Sequence, residues 1–169
     1  MFNHTIFNQR FIRVICAGVL LTAFHLPAQA AAPGAIKISN ISEKEIEVVN
    51  EDGNKETKRV EVVTALPRDV IIYTTSFENI SDKPAGNIVI TNAVPNDTTY
   101  KSASGVNTDI SFSIDGGKQY AAPDKLIVTT EENNTRAAVP ADYTHMRWIY
   151  KGELGVGKTS EVSFRTVIK

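Results

Sequence analysis

Apolar side chains recur at every second residue along much of this sequence, and that spacing leaves few folds open. Ile110-Ser111-Phe112-Ser113-Ile114 puts three apolar groups on one face of an extended segment and two serines on the other. Val162-Ser163-Phe164-Arg165-Thr166-Val167-Ile168 repeats the arrangement, as do Val60-Glu61-Val62 and Met146-Arg147-Trp148-Ile149-Tyr150. A period of two matches a pleated strand with one buried and one wet face. Val, Ile, Thr, Phe and Tyr fill these runs, the residue types that pack best on a pleated surface. No stretch sustains the 3.6-residue period of an amphipathic helix.

Turn chemistry separates the runs. Glu51-Asp52-Gly53-Asn54 and Asp115-Gly116-Gly117 supply glycine where hairpins need positive φ. Pro67, Pro84, Pro95, Pro123 and Pro140 mark loops or strand edges. The pattern predicts strands over 35–39, 45–50, 57–65, 70–78, 87–94, 97–103, 109–114, 125–130, 143–150 and 160–168. Many short strands bounded by turns close as a sandwich or a barrel. With no internal repeat and no low-complexity linker, one domain accounts for them.

The first thirty residues follow another logic. Arg10 and Arg13 precede the apolar run Val14–Phe24, Pro27 breaks it, and Ala28-Gln29-Ala30 follows. A basic start, a short apolar centre and a small-x-small site are the three parts of a secretory signal peptide. The run is too short for the roughly 20 residues of a bilayer span. Cleavage is expected between Ala30 and Ala31, leaving residues 31–169 as the mature domain with no membrane span. Cys16, the only cysteine, leaves with the leader, and so do His4 and His25. The mature domain is then expected to rest on its hydrophobic core, with neither disulfide nor thiolate zinc site. The full chain has 18 basic and 19 acidic residues. Residues 1–30 contain two arginines and no acid, so 16 against 19 remain, a formal charge of −3. Such a weak balance without a basic cluster argues against nucleic acid as a partner.

The middle of the chain is similar to a known family. Leu66-Pro67-Arg68-Asp69-Val70-Ile71-Ile72-Tyr73-Thr74 leads into Phe77-Glu78-Asn79, and then Ala85-Gly86-Asn87-Ile88-Val89-Ile90-Thr91-Asn92-Ala93-Val94-Pro95. This resembles the bacterial conserved repeat domain, the eleventh catalogued domain of unknown function. Its members carry an Asn at a strand end, a polar loop, and a strand running into a Pro-containing turn. Arg147-Trp148, Gly152-Glu153-Leu154 and Gly157-Lys158-Thr159 into Val162-Ser163-Phe164 look like its last two strands. Ser113-Ile114-Asp115-Gly116-Gly117-Lys118 is similar to a hairpin of its small exported relatives. The likeness covers roughly residues 60–169. It implies an all-β, immunoglobulin-like antiparallel sandwich in a cell-envelope or extracellular setting, and it supplies no catalytic residues. Members usually stand in tandem, whereas this chain reads as one module behind its own leader.

Several segments imitate sites. Gly152-Glu153-Leu154-Gly155-Val156-Gly157-Lys158-Thr159 fits the phosphate-binding loop letter for letter. That loop works by opening a helix at its Lys, and the residues here alternate as a strand instead. No nucleotide and no other cofactor is therefore expected. Asp142 and His145 offer an acid and a base, but a triad also needs an activated nucleophile and an oxyanion site, and no Gly-x-Ser-x-Gly elbow occurs. Asn50, Asp52 and Asn54 have the spacing of the first oxygen ligands in a calcium loop. Gly53 is misplaced and Glu61 falls inside a strand pattern, so no metal site is assigned. Trp148 sits in an alternating strand and is expected in the core, with Tyr73, Phe77, Phe112 and Phe164. Asn79-Ile80-Ser81 and Asn133-Asn134-Thr135 are glycosylation triplets that matter only in a eukaryotic secretory host.

The expectation is thus a non-catalytic exported protein-interaction module of the bacterial envelope, periplasmic or secreted, whose partner is another envelope or surface protein. Its loops, its segment Asn40–Asn54, its loop Thr130–Arg136 and an edge strand are the expected working surfaces. The alternatives are a self-associating structural surface or matrix component and, more remotely, a small exported hydrolase.

Overall fold

A computed structural model describes residues 35–169. The expected leader, with its cleavage point at Ala30 and Ala31, lies outside the described residues. The elements are β1 (Ile36–Val49), β2 (Lys55–Glu61), β3 (Val70–Asn79), β4 (Ala85–Gly86), β5 (Val89–Ala93), β6 (Thr98–Gly105), β7 (Thr108–Ser113), β8 (Ile127–Thr129), β9 (Thr135–Ala137), β10 (His145–Tyr150), β11 (Glu153–Leu154) and β12 (Thr159–Ile168). Two single 3₁₀ turns, Pro123–Lys125 and Pro140–Asp142, each begin with the proline whose fixed φ suits that position.

The strands form an antiparallel β-sandwich. One sheet has the order β2-β1-β3-β12-β6, the other β5-β10-β7, and β11-β4 and β8-β9 form two-stranded ribbons. Leaving β2 aside, the main strands divide four and three, as in an immunoglobulin-like sandwich. The order departs from the constant-type scheme at one exchange. The last strand β12 lies between β3 and β6, while β7 takes the place beside β10 that the last strand would otherwise hold.

The alternating residues meet between the sheets. Phe77, Val162 and Phe164 from the larger sheet face Ile90, Phe112, Met146 and Trp148 from the smaller one. Tyr73 stacks on Phe164 at 4.8 Å and Phe112 on Tyr143 at 4.5 Å. Full burial of one such side chain is worth about 1.5–3 kcal/mol. Trp148 has 0% exposure, and its indole N–H donates to the Ser104 carbonyl at 3.2 Å, so its one polar atom is satisfied. Gly105 makes this packing possible. A Cβ there would stand 2.9 Å from Val162 Cγ1 and 3.1 Å from Trp148 Cδ1.

Asn79 fastens one end. Its side chain is fully buried, and Nδ2 donates to the carbonyls of Lys83 and Leu154, both at 2.8 Å. Its Oδ1 accepts from Ser81 N–H at 3.0 Å and Ser81 Oγ at 2.7 Å. Its backbone N–H donates to Lys158 and its carbonyl accepts from Gly157. One buried amide thus joins β3, the loop after it and the turn between β11 and β12, with no polar atom of its side chain left over.

The predicted strands over 35–39 and 45–50 are one strand, β1, of 14 residues. Asn40, Ser42, Glu43 and Lys44 break the apolar alternation between those two segments, and the ladder to β3 runs through them without interruption. The ribbons β11-β4 and β8-β9 use two- and three-residue strands, too short to show a period.

Candidate functional site

The feature that stands out chemically is the first half of β1. Its partners follow from the ladder pattern. Ile80 N–H donates to the Ala35 carbonyl at 3.0 Å, in register with the β1–β3 pairs. Bonded pairs alternate along an antiparallel ladder, so odd-numbered residues of β1 turn both polar groups to β3. Asn50 N–H donates to the Asn54 carbonyl at 2.9 Å on the other side, which assigns even-numbered residues to β2. The β2 ladder covers only Glu43–Val49. Over Ile36–Ser42, β3 is the only register partner among the described residues. The N–H and C=O groups of Ile36, Ile38 and Asn40 therefore point to the open side. Among the described residues no hydrogen bond reaches these six groups.

The side chains add to this. Ile38 is 54% exposed and Ile41 57%, an unusual state for two isoleucines in one strand. Lys37 is the only charge in Ile36-Lys37-Ile38-Ser39-Asn40-Ile41-Ser42, and Glu78 lies 3.7 Å away on β3. Asn92 on β5 donates to Thr75 Oγ1, which donates to Asn40 Oδ1 at 2.7 Å. That chain of bonds fixes Asn40 on the inner face and ties the open strand to the second sheet. Where β2 leaves β1, Ile41, Ser42, Glu61 and Val62 line an open groove that continues the edge.

Among the described residues, the other margins of the two main sheets are protected. β2 carries five charged residues in seven, Lys55, Glu56, Lys58, Arg59 and Glu61. β6 has a register shift opposite Arg165 and Thr166 that makes Lys101 a bulge. β5 is five residues long and runs to Pro95. β7 is bridged by Ala121, which exchanges two backbone hydrogen bonds with Phe112. Charge, bulge, shortness and cover are the recognised means of preventing edge-to-edge pairing. Ile36–Ser42 uses none of them beyond the single Lys37.

The other residues singled out in the sequence are placed as follows. In the phosphate-loop imitation, Glu153–Leu154 is β11, Lys158 N–H closes a turn onto the Gly155 carbonyl, and Thr159 opens β12. A strand stands where a phosphate loop has a helix, and Gly157 N–H is already bonded to Asn79. The Asp142 carboxylate is turned to Arg136, at 2.6 and 2.8 Å, and to Val139 N–H at 2.7 Å. The Arg136 guanidinium holds it well below the usual carboxylate range, at about 2. Its oxygens are thereby committed away from His145, whose Nδ1 is buried with no hydrogen-bond partner among the described residues. Asn50 Oδ1 accepts from Asp52 N–H and Asn54 N–H, so it closes the β1–β2 hairpin turn, with Gly53 at φ 79°. Asp115 likewise organises its own turn. Ser113 Oγ donates to its carboxylate, and the Gln119 and Lys118 N–H groups join it, which lowers its pKa. The segment Asn40–Asn54, expected as variable surface, is strand and hairpin, and Thr130–Arg136 is the turn between β8 and β9 with the start of β9.

Sequence reasoning asked for an exposed edge and did not locate it. The signal was Ile36-Lys37-Ile38 running without a break into Ser39–Glu45. Only the register shows that β2 stops short of it.

The fold and this edge define an antiparallel β-sandwich whose two main sheets have, among the described residues, one unprotected strand margin. No family model matches the chain, and neither does any curated protein or solved structure.

Proposed function

We propose that this chain is a non-catalytic, exported protein-interaction module of the bacterial cell envelope that holds an extended protein segment along Ile36–Ser42. The unprotected margin, in a sheet whose other margins are protected, carries this reading. An added strand would satisfy six backbone groups that the fold leaves open, and exposed Ile38 and Ile41 would give it side-chain contacts on both faces. Main-chain pairing supplies affinity and the two isoleucines supply selectivity. The reading of residues 1–30 as a secretory leader supports the export, and the resemblance to the conserved repeat domain supports the envelope setting. No group on this margin is placed for bond-breaking chemistry, which favours binding over hydrolysis.

The test is a pull-down from the envelope fraction of its own cells, with the full chain tagged at Lys169 as bait and Ile38→Pro as the comparison. Proline at 38 removes only an N–H that points outward, so the β3 ladder keeps its bonds. A stoichiometric partner held by the natural chain and lost with Ile38→Pro is expected. Equal capture by both baits would refute the edge as the site.

A further inference from the structure

We infer that the strand received along Ile36–Ser42 is the same strand of a second copy, paired antiparallel about a two-fold axis at Ser39. This rests on the strand-addition reading above and names its occupant. The argument is one of register. A symmetric antiparallel pair about residue 39 sets Ile38 opposite Asn40 and Ile36 opposite Ser42, in both directions. All are even-numbered residues, the ones whose polar groups face outward, so the bonded positions of the two copies coincide. The two Ile38–Asn40 pairs alone supply four backbone hydrogen bonds. The open span runs from residue 36 to residue 42, so its midpoint is the same Ser39, and the self-paired strand fills the opening without displacing β2.

The register centred on Asn40 would set Ile36 against Lys44, whose polar groups belong to β2, and charge decides against the one centred on Ile38. With the axis at Ser39, Lys37 stands opposite Ile41 and diagonal to Glu43 of the other copy, an attractive contact made twice. With the axis moved to Ile38, Lys37 would stand diagonal to its own counterpart, a repulsive one. Diagonal neighbours lie about 7–8 Å apart, within reach of lysine and glutamate. The two Ile38 side chains also become diagonal neighbours on the inner face, where each is now half exposed. The product is one continuous sheet of ten strands, five from each copy, with the charged β2 strands flanking the junction.

The full chain in a Cys16→Ala background, which removes the native thiol, tests this with two cysteine variants. Ser39 would occupy a non-hydrogen-bonded pair on the axis, where Cα atoms approach to about 4.5 Å, inside the range a disulfide spans. Under mild oxidation Ser39→Cys should form a covalent dimer and Lys37→Cys should not, because residue 37 faces residue 41. Sedimentation velocity should show a concentration-dependent dimer. Ile38→Pro, which deletes two hydrogen bonds per dimer, should weaken it roughly thirtyfold. A dimer in which Ser39→Cys and Lys37→Cys link equally, or in which neither links, would overturn the pairing. So would a chain that stays monomeric at high concentration. In that last case the pull-down separates the two ideas. Loss of an envelope partner with Ile38→Pro would keep strand addition and exclude the second copy. Unchanged capture would end both.

Discussion

The two halves of β1 belong to one unbroken strand, yet they meet opposite fates. Over Glu43–Val49 the strand is enclosed by β3 on one side and the charged β2 on the other. Over Ile36–Ser42 it has β3 alone among the described residues and shows two isoleucines to solvent. The sequences reverse the usual expectation, since the enclosed half contains Glu43, Lys44, Glu45 and Glu47 while the open half contains a single charge. Protection of a margin therefore depends on how far the neighbouring strand extends as well as on strand composition. β2 turns away seven residues early, and those seven residues are the ones chemically suited to pairing.

Four experiments test that contrast. The comparison requires a sandwich that stands whatever its margin does. Trp148→Ala should cost about 3–5 kcal/mol in denaturant unfolding, because a fully buried indole leaves a large void. A loss under about 1 kcal/mol would mean that the inter-sheet core is not what holds β1 in place. Asn79→Ala should cost about 2–3 kcal/mol, since the buried Leu154 carbonyl would lose its donor and the bonds to Lys83 and Ser81 would go. The same probe would show whether the knot at that end is independent of the margin.

The direct comparison pairs two prolines of equal parity. Ile46→Pro removes an N–H that belongs to the β2 ladder and should cost about 3 kcal/mol. Ile38→Pro removes one that faces solvent and should cost under about 1 kcal/mol. Thermal melts at low protein concentration measure both, and equal losses would show that the first half of β1 is enclosed after all. The smallest effect concerns the β8–β9 ribbon, an exposed β element held by Arg136 and Asp142. Asp142 has its pKa depressed to about 2, so its contribution is present above the ordinary carboxylate value of about 3.9 and is lost as pH falls toward 2. Arg136→Ala should lower stability at pH 7 by a small amount, since a partly exposed pair contributes weakly, and should flatten the further loss between pH 4 and 2 by that same amount. An unchanged acid melt would refute the assignment.

Much of this fold was legible because alternation reports burial directly. Phe112, Trp148, Val162 and Phe164 point inward as their spacing requires, and the antiparallel sandwich follows from them. What escaped was set by partners instead of by pattern. Asn40, Ser42, Glu43 and Lys44 of β1 are polar, so the segment reads as a break between two strands. β4 and β11 are two residues each, held by Asn79 and by chain geometry, with no period to detect. The candidate site was legible only as a type. Nothing in Ile36–Ser42 reveals which neighbour it lacks, since that depends on where β2 ends, and the predicted strand over 57–65 runs four residues past its end at Glu61.

Asn79 has a consequence for production. Asn79-Ile80-Ser81 is an acceptor triplet for oligosaccharyl transfer, and in the folded molecule both Nδ2 hydrogens are spent on carbonyls in a space with no room for sugar. In yeast or mammalian cells the enzyme meets the chain before the knot forms, so modification and folding compete. A molecule that receives a glycan there is shut out of the native state and passes to quality control, while Asn133, on the exposed turn before β9, can carry one harmlessly. Secreted product should hold sugar at Asn133 and none at Asn79. The occupancy of the retained fraction would then record how quickly this end of the sandwich closes.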